Sequence, residues 1–188
     1  NKIKITKDKK FMIIGISGYK GSGKDSLGEI LTKTFGWKKM SFAQPIKDLA
    51  HTTFGIDKAI LSGTEGKREL RELPLPDWFN LSSREILQKV GMAFRENLNK
   101  DIWVRILENQ YKNCKEHVVI TDVRFPNEVE MINKHGFVCC VRRPDFNGDG
   151  HESEHALDGH AFSYGFNNDG TKEALQAKFY NFLKDRIV

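Results

Sequence analysis

The residues with the clearest chemical potential lie in a glycine-rich segment that follows an apolar run. The segment reads Gly18-Tyr19-Lys20-Gly21-Ser22-Gly23-Lys24-Asp25-Ser26. At a turn from strand to helix, consecutive backbone N–H groups and the positive helix end attract anions. A lysine at the position of Lys24 reaches the β- and γ-phosphates of a nucleotide. The segment therefore predicts phosphate binding, against the alternative of a glycine-rich turn with a solvated lysine.

The elements on either side of this segment are the ones that the motif requires. The apolar run 11–16 is typical of a buried parallel strand. After the segment, apolar residues recur at helical spacing, at Leu27, Ile30, Leu31 and Phe35. The sequence thus predicts that a strand leads into the glycine-rich turn and that a helix leaves it.

A second set of polar residues follows the apolar strand predicted at 118–121. Asp122, Arg124 and Glu128 come after it, and ligands bind at the carboxyl ends of strands in open α/β sheets. Asp122 is suited to holding Mg²⁺ through water, and Arg124 to pairing with a phosphate. The alternative is a structural Asp–Arg pair, with Glu128 as a carboxylate in the first turn of a helix.

A third set lies on the helix predicted at 83–98, for which Ser82 or Ser83 is the expected cap. One face carries Arg84, Gln88, Gly91 and Arg95, which fall within about 60° of one another at about 100° per residue. Arginines can hold a phosphate, an amide can bond a base edge, and glycine leaves room for a flat ring. On periodicity alone, an ordinary solvated face with Arg–Glu pairs is the preferred interpretation.

Strands and helices alternate along the chain, which favours an α/β fold with a parallel sheet. Further strands are predicted at 39–43, 118–121, 137–141 and, weakly, 162–166. Further helices are predicted at 45–54, 101–111, from 126 to a stop at Gly136, and 172–183. The polar stretch 57–80 contains Pro74 and Pro76 and predicts a loop-rich excursion with one short helix.

Composition restricts the class of protein and its partners. A chain of 188 residues fits one domain, and a net charge of +5 favours anionic ligands. Because the basic residues are scattered, we do not expect nucleic acid as the main partner. We also expect no membrane partner. Three cysteines without metal or redox spacing indicate reduced thiols in a cytoplasmic protein. We expect no signal peptide, transmembrane run or lipid anchor, and we expect the first ten residues to be processed or truncated, and loosely ordered.

Several motifs, in their order and spacing, resemble the bacteriophage deoxynucleoside monophosphate kinase family. They are the glycine-rich segment, Arg84-Glu85-Ile86-Leu87-Gln88 with Gly91, Asp101-Ile102-Trp103-Val104, the stretch from Thr121 to Glu128, His151-Glu152-Ser153-Glu154 and Asn168-Asp169-Gly170-Thr171. The resemblance implies a P-loop NTPase three-layer fold, nucleotide-kinase-like, with a parallel sheet flanked by helices. It also implies transfer of the γ-phosphoryl group of ATP to a deoxynucleoside monophosphate.

On the ATP side, the resemblance implies roles for residues of three segments. The implied catalytic residues are Lys24, Asp25, Asp122, Arg124 and Glu128. ATP contacts are implied at Gly21, Ser22, Gly23, Lys24, Asp25 and Ser26, with the adenine beside Asn167, Asn168 and Gly170. The implied cofactor is Mg²⁺ with ATP, held directly or through water by Asp25, Ser26 and Asp122.

On the acceptor side, the resemblance implies substrate contacts at Arg84, Gln88, Gly91, Met92, Arg95, Trp103 and Arg124. Many members carry a hydroxyl residue where this chain has Met92, so the range of bases stays open. The residues implied for a lid are Arg142, Arg143, His151, Ser153 and Glu154.

The expected organisation is one P-loop kinase domain over residues 1–188. Its core would be 11–56 and 117–188, with a helical acceptor-binding insertion at about 57–116 and a lid loop at about 143–160. The expected location is the cytoplasm, of the host if the protein is viral, and a homodimer is left open.

Three other functions remain open. A kinase of the same fold could act on phosphomevalonate or dephospho-coenzyme A, although the arginine and glutamine face favours a nucleotide acceptor. A P-loop switch or motor ATPase would need a switch region and a water-positioning residue, and neither is evident. A nucleic-acid-binding module would show a steep salt dependence of DNA binding.

Overall fold

The structure is a computed structural model that describes residues 11–64, 66–144, 148 and 150–187. The expectation of a loosely ordered start concerns residues 1–10, which lie outside the described part, as do residues 145–147 and 149 of the predicted lid. None of the helices in the described part is both long enough and apolar enough to cross a membrane.

Seven strands occur in the described part of the chain. They are β1 (Ile13–Ser17), β2 (Lys38–Met40), β3 (Pro74–Leu75), β4 (Leu81–Ser82), β5 (Val118–Val123), β6 (Gly136–Arg142) and β7 (Tyr164–Asn167). Five of them form a parallel sheet in the order β2-β5-β1-β6-β7, and β3 pairs with β4 as an antiparallel hairpin. Every residue of the central strand β1 is buried, which is why its sequence is continuously apolar rather than alternating.

Eight α-helices lie between and after these strands in the described part. They are α1 (Lys24–Lys33), α2 (Gln44–Phe54), α3 (Lys58–Ser62), α4 (Ser83–Asn97), α5 (Ile102–Lys112), α6 (Pro126–Asn133), α7 (Glu152–His155) and α8 (Lys172–Ile187). Short 3₁₀ helices occur at Glu69–Glu72 and Pro76–Trp78.

Helices cover both faces of the parallel sheet. On one face α1 and α8 pack together, and Leu27 and Phe179 share an apolar core with Ile14 of β1. On the other face α6 approaches β1 so closely that a Cβ at Gly15 would lie 2.8 Å from Ile132 Cδ1. This arrangement confirms the three-layer α/β fold predicted from the sequence.

A bulge interrupts the pairing of β1 with β5 close to the predicted site. Gly15 pairs with Ile120 and Ser17 with Val123, so two steps along β1 match three along β5. An extra residue of this kind alters the alternation of side chains and re-aims them. The re-aimed segment is the one that contains Asp122.

The chain divides into two compact units. The first contains the residues up to Ser41 and those from Tyr111 onward, and it holds the parallel sheet. The second, Phe42–Gln110, holds α2, α3, α4, the β3–β4 hairpin and most of α5. It includes α2, which packs against α3 and α4, together with most of the stretch predicted as the acceptor-binding insertion.

The second unit has its own apolar core and a well-defined start of α4. Ala50, Leu61 and Ile86 are buried in that core. Ser82 Oγ accepts a hydrogen bond from Glu85 N, and the Glu85 carboxylate accepts one from Ser82 N at 2.8 Å. This capping box confirms the predicted helix start, and it sets the position of the face that follows.

Several element ends differ from the sequence predictions. The strand predicted at 39–43 ends at Met40, and the one predicted at 118–121 continues to Val123 because it still pairs with β1. Gly136 opens β6 rather than only stopping α6, and a Cβ there would lie 1.8 Å from the carbonyl oxygen of Ile13. The excursion 57–80 contains α3, both 3₁₀ helices and β3. Pairing partners and close backbone contacts, which no local pattern encodes, determine these ends.

Candidate active site

The glycine-rich turn between β1 and α1 has backbone angles that favour glycine. Gly18, Gly21 and Gly23 have φ values of 135°, 81° and 108°. A Cβ at Gly18 would lie 2.2 Å from the carbonyl oxygen of Val141, and one at Gly23 would lie 2.8 Å from Asn168 Nδ2. The turn is therefore packed closely against β6 and against the chain after β7, which only glycine allows.

Lys24 opens α1 and is buried, with 7% of its surface exposed. Its Nζ donates a hydrogen bond across the turn to the carbonyl oxygen of Tyr19. Burial first, and then the charge of Arg124, lower the pKa of the Lys24 ammonium to about 8. An anion bound in the turn would oppose this shift, because it favours the protonated amine.

Ser22 offers an unused donor inside the turn. The residue is 1% exposed, and its Oγ is buried without a hydrogen-bond partner among the described residues. Its carbonyl oxygen accepts a hydrogen bond from Asn168 Nδ2 at 2.8 Å, which anchors the turn. A buried hydroxyl is costly until a partner satisfies it, so this geometry fits a phosphate oxygen.

Asp25 follows Lys24, and its side chain is largely exposed. Its Oδ1 accepts a hydrogen bond from Thr121 Oγ1 at 3.1 Å and lies 3.5 Å from Lys39 Nζ. Desolvation acts against the charged form, but the Lys39 charge and the Thr121 hydrogen bond hold the pKa of the Asp25 carboxyl below its usual value. The charged, open carboxylate is suited to a divalent cation. Ser26, the next residue, is partly exposed.

Asp122 and Arg124 leave the end of β5 toward different neighbours. Asp122 Oδ2 accepts a hydrogen bond from Ser41 Oγ at 2.7 Å, just after β2. Arg124 Nη1 lies 2.6 Å from Glu154 Oε1 in α7. Because these neighbours differ, the metal role predicted for Asp122 and the phosphate role predicted for Arg124 have different surroundings.

Glu128 is buried beneath the chain that carries Arg124. Its Oε2 accepts hydrogen bonds from the backbone N–H groups of Arg124, at 2.7 Å, and Phe125, at 3.1 Å. This is the helix-start carboxylate that the sequence left open as an alternative. The geometry makes Glu128 a support for the Arg124 backbone, and a direct catalytic role stays a prediction.

A pocket of about 540 Å³ opens beside the glycine-rich turn in the first unit. Several predicted site and lid residues line it, namely Arg124, Arg142, Arg143, Ser153 and Glu154. The predicted lid residue His151 instead caps α7, where its Nδ1 accepts a hydrogen bond from Ser153 N at 3.1 Å. The ends of β5 and β6 thus share one cavity with the lid residues.

The residues predicted beside the adenine follow β7. Asn168 is buried, and its backbone N–H donates to the carbonyl oxygen of Arg142 at 2.7 Å. Asn167 and Gly170 are exposed. Asn168 therefore holds the turn and β6 together, whereas Asn167 and Gly170 are open to a ligand.

The face predicted to bind the acceptor lies on α4 in the second unit. Four of its residues are partly exposed, namely Arg84, Gln88, Met92 and Arg95. Gly91 is buried, and a Cβ there would lie 3.2 Å from Ile46 Cδ1 in α2. Trp103 in α5 is 4% exposed, and its Nε1 donates to the carbonyl oxygen of Gly91 at 3.0 Å. Gly91 and Trp103 are thus used in packing, whereas the other four are partly exposed, and Arg84 Nη1 lies 3.7 Å from Glu72 Oε1.

Arg71, which sequence reasoning missed, belongs to the neighbourhood of this face. Burial first, and then the charge of Arg84, lower the pKa of the Arg71 guanidinium. Its Nε is buried without a hydrogen-bond partner among the described residues. Neighbouring guanidinium groups with an unsatisfied donor are suited to an anion. Arg71 lies in a 3₁₀ helix outside α4, so no helical spacing could have indicated it.

Comparison with known proteins assigns the chain to a family. The family model described as deoxynucleotide monophosphate kinase matches residues 69–179. A protein of Acanthamoeba polyphaga mimivirus named as a deoxynucleotide monophosphate kinase is 32% identical over an alignment of 158 residues, which covers 76% of this chain and 80% of that protein. The chain belongs to the deoxynucleotide monophosphate kinase family.

A second relative and a solved structure are also similar to this family member. The deoxynucleoside-5'-monophosphate kinase of Escherichia phage T5 is 25% identical over 180 residues, covering 65% of this chain and 72% of that protein. Dephospho-CoA kinase from Campylobacter jejuni matches with a TM-score of 0.48 and 14% identity over 94% of this chain and 97% of that chain, a level that carries no argument about function. These matches confirm the family inferred from the sequence motifs. Both relatives, from mimivirus and from phage T5, are viral proteins. The chain is an ATP-dependent phosphotransferase.

Three further residues bond to carboxylates of the candidate site and the predicted lid, and sequence reasoning missed them. Thr121 bonds Asp25, Ser41 bonds Asp122, and the Tyr19 hydroxyl donates to Asp158 Oδ1 at 2.5 Å. Thr121 lies near the end of β5 and Ser41 directly after β2. A hydroxyl at the carboxyl edge of a predicted parallel sheet was the signal that could have found these two.

Proposed function

We propose that this chain transfers the γ-phosphoryl group of ATP to a deoxynucleoside monophosphate, giving the diphosphate and ADP. The observation that carries the proposal is the buried Lys24 at the glycine-rich turn, together with the buried Ser22 hydroxyl, which has no hydrogen-bond partner among the described residues. Both groups fit a chain of phosphates, and membership of the family supplies the class of acceptor.

ATP is bound through the turn and the start of α1. Backbone N–H groups from Gly21 to Ser26 and the Lys24 ammonium hold its phosphates. Asn167 and Gly170 lie beside the adenine, and their exposure supports this role. Asn168 contributes by anchoring the turn, since its amide bonds the carbonyl oxygen of Ser22.

Mg²⁺ accompanies ATP, and Asp25, Ser26 and Asp122 are the residues that would hold it. The charged and exposed Asp25 carboxylate fits this ion, which prefers oxygen ligands. Among the described residues, no group of three His, Cys, Asp or Glu side chains could hold a metal by itself. Water and nucleotide phosphates are therefore needed as additional ligands. When bound, the ion neutralises charge on the phosphates.

The acceptor is bound in the second unit. Arg84, joined by Arg71, holds its phosphate, because two guanidinium groups lie near each other there. Gln88 bonds the base edge, and Met92 and Arg95 border the same face. Gly91 and Trp103 shape the face from beneath, which their packing contact supports.

Catalysis consists of positioning and charge stabilisation. Phosphoryl transfer needs little covalent chemistry from the protein. The acceptor oxygen is already anionic near neutral pH, so no strong general base is required. Lys24 and Arg124 neutralise charge that spreads over the transferred group, and Glu128 keeps Arg124 in place through its backbone.

A coupled ADP-release assay tests the function across the eight common ribo- and deoxyribonucleoside monophosphates. We expect release only with an acceptor present and faster with the deoxy forms. Arg84→Ala should weaken every acceptor alike, because it removes a phosphate contact, whereas Gln88→Ala should change the ranking of the bases. Lys89→Ala, an exposed change on the same helix, is the matched control. ADP release at one rate with or without acceptor would overturn the kinase assignment in favour of an ATPase.

The remaining expectations concern the whole protein. We propose ATP and deoxynucleoside monophosphates as the partners, with no nucleic acid or membrane as the main partner. Cytoplasmic location, in the host if the source is viral, and a homodimer stay predictions.

A further inference from the structure

Glu154 is a buried carboxylate that the proposed reaction does not use. It lies in α7 and is 6% exposed. Its Oε1 is 2.6 Å from Arg124 Nη1, and its Oε2 accepts a hydrogen bond from the backbone N–H of Lys20 at 2.8 Å. One carboxylate therefore bridges the glycine-rich turn and the arginine after β5.

Two of the donors that hold Glu154 are of the kind that hold phosphate. A buried carboxylate is stable only where donors replace its water. Here they are a guanidinium and a backbone N–H group of a glycine-rich turn, and both bind phosphate oxygens readily. The two carboxylate oxygens thus occupy positions at which two oxygens of a phosphate group would contact the same guanidinium and the same backbone N–H.

A second contact docks the α7 segment, residues 151–160, on the turn. The Tyr19 hydroxyl bonds Asp158 Oδ1, and His155 Nδ1 lies 2.8 Å from Asp158 Oδ2. The Tyr19 and His155 rings also contact each other, with centroids 5.7 Å apart. These contacts lie at exposed positions, so each contributes little to the docking of the segment. The pocket of about 540 Å³ borders the bridge and gives a ligand access to it.

We propose that Lys20 N–H and Arg124 form a phosphate subsite that Glu154 fills in the free protein. A nucleotide phosphate takes over both donors, and the α7 segment releases Glu154 when the nucleotide binds. The proposal deepens the proposed function and rests on it for the identity of the ligand. The phosphate comes either from the ATP chain or from the acceptor.

Because a phosphate must replace the Glu154 carboxylate in the subsite, we predict that Glu154 weakens phosphate binding. When a ligand must displace an internal anion, its apparent affinity is its intrinsic affinity multiplied by the fraction of the protein in which the subsite is open. Glu154→Gln keeps the size of the side chain but removes its charge. We expect this variant to bind a phosphate ligand about tenfold more tightly than the natural protein. A carboxylate that merely orients Arg124 for the ligand would give the opposite result, since its loss would weaken binding.

The experiment is calorimetric titration with inorganic tripolyphosphate and, separately, with dGMP. Glu152→Gln is the matched control, because it removes the same charge from an exposed position of α7. Tighter tripolyphosphate binding in Glu154→Gln alone supports a subsite for the ATP chain, and tighter dGMP binding alone supports one for the acceptor. Unchanged or weaker binding of both ligands overturns the proposal. Neither titration requires catalysis, so a failed kinase assay and a failed subsite remain distinguishable.

A second variant covers the case in which Glu154→Gln does not fold, which circular dichroism would reveal. Asp158→Asn changes an exposed residue and weakens the docking of the α7 segment while Glu154 stays. We expect a smaller increase in phosphate affinity, about threefold, because the segment opens more often. If Asp158→Asn folds and binds both ligands no more tightly, the proposal is overturned by this variant alone.

Discussion

Lys24 shows how burial changes the chemistry of one residue. In the free protein its pKa is lowered to about 8, first by burial and then by the charge of Arg124. The phosphates of ATP would restore the higher pKa, because they stabilise the ammonium. Near pH 8 we therefore expect nucleotide binding to be accompanied by uptake of a proton.

This linkage is measurable as proton uptake. At pH 8 we expect about half a proton per ATP bound, falling toward zero at pH 6.5, where Lys24 is already charged. Calorimetric titration in buffers of different ionisation enthalpy measures the uptake. Lys24→Met should abolish it, whereas Lys33→Met, an exposed lysine at the end of α1, should not. Equal heats in all buffers at pH 8 would contradict the lowered pKa.

The same shift affects the stability of the nucleotide-free protein. Between pH 8 and 10.5 the unfolded chain keeps a proton that folded Lys24 has lost. The unfolded state then binds more protons, so the contribution of Lys24 to the free energy of unfolding rises with pH across this window.

Among the elements, α1 and β5 are joined by an unusually close contact. A Cβ at Gly28 of α1 would lie 2.5 Å from Thr121 Cγ2 in β5. Thr121 is buried and short, so it cannot move aside easily. The same threonine bonds Asp25, which means that helix packing and the predicted metal ligand depend on one contact.

Gly28→Ala therefore has two opposing effects on stability, because it raises the helix propensity of α1 and disturbs the packing of α1 against β5. Alanine favours the helix by about 1 kcal/mol over glycine, but the forced separation costs about 1–3 kcal/mol. We expect net destabilisation, measured by urea unfolding, and a higher Mg²⁺ requirement for activity. Thr121→Ser removes the clashing methyl group and keeps the hydroxyl, so the double variant should recover most of the loss. A single variant as stable as the natural protein would show that the contact relaxes at no cost.

For the whole molecule, the two compact units carry different parts of the proposed chemistry. The first holds the glycine-rich turn, and the second holds the arginine and glutamine face of α4. Each unit has its own apolar core. Each ligand should therefore stabilise the unit that binds it, even when the other ligand is absent.

Hydrogen exchange of the complete protein tests this division. ATP alone should slow exchange at 18–26, because bound phosphates satisfy the backbone N–H groups of the turn. A deoxynucleoside monophosphate alone should slow exchange in α4, around residues 84–95. Tripolyphosphate serves as the control that lacks a base and a sugar. Protection of the turn alone by the monophosphate would contradict the acceptor role proposed for α4.

Local sequence predicted the elements that depend on near neighbours. The strand, glycine-rich turn and helix at 13–33 were readable because their signals lie within one continuous stretch. The start of α4 at Ser82 was readable for the same reason. Glu128 was predicted in two roles, and only its contacts with Arg124 N and Phe125 N indicate a supporting one.

By itself, the sequence determined the family, the three-layer fold and the glycine-rich turn between strand and helix, because motif order and apolar periodicity are properties of the chain. Only the tertiary structure decided the partners of the charged groups. Thr121 and Asp25 are 96 residues apart and Ser41 and Asp122 are 81 apart, and the lowered pKa of Lys24 arises from burial that no spacing reveals. Contacts and desolvation depend on distances in space, which exist only once the sheet has brought the ends of its strands together.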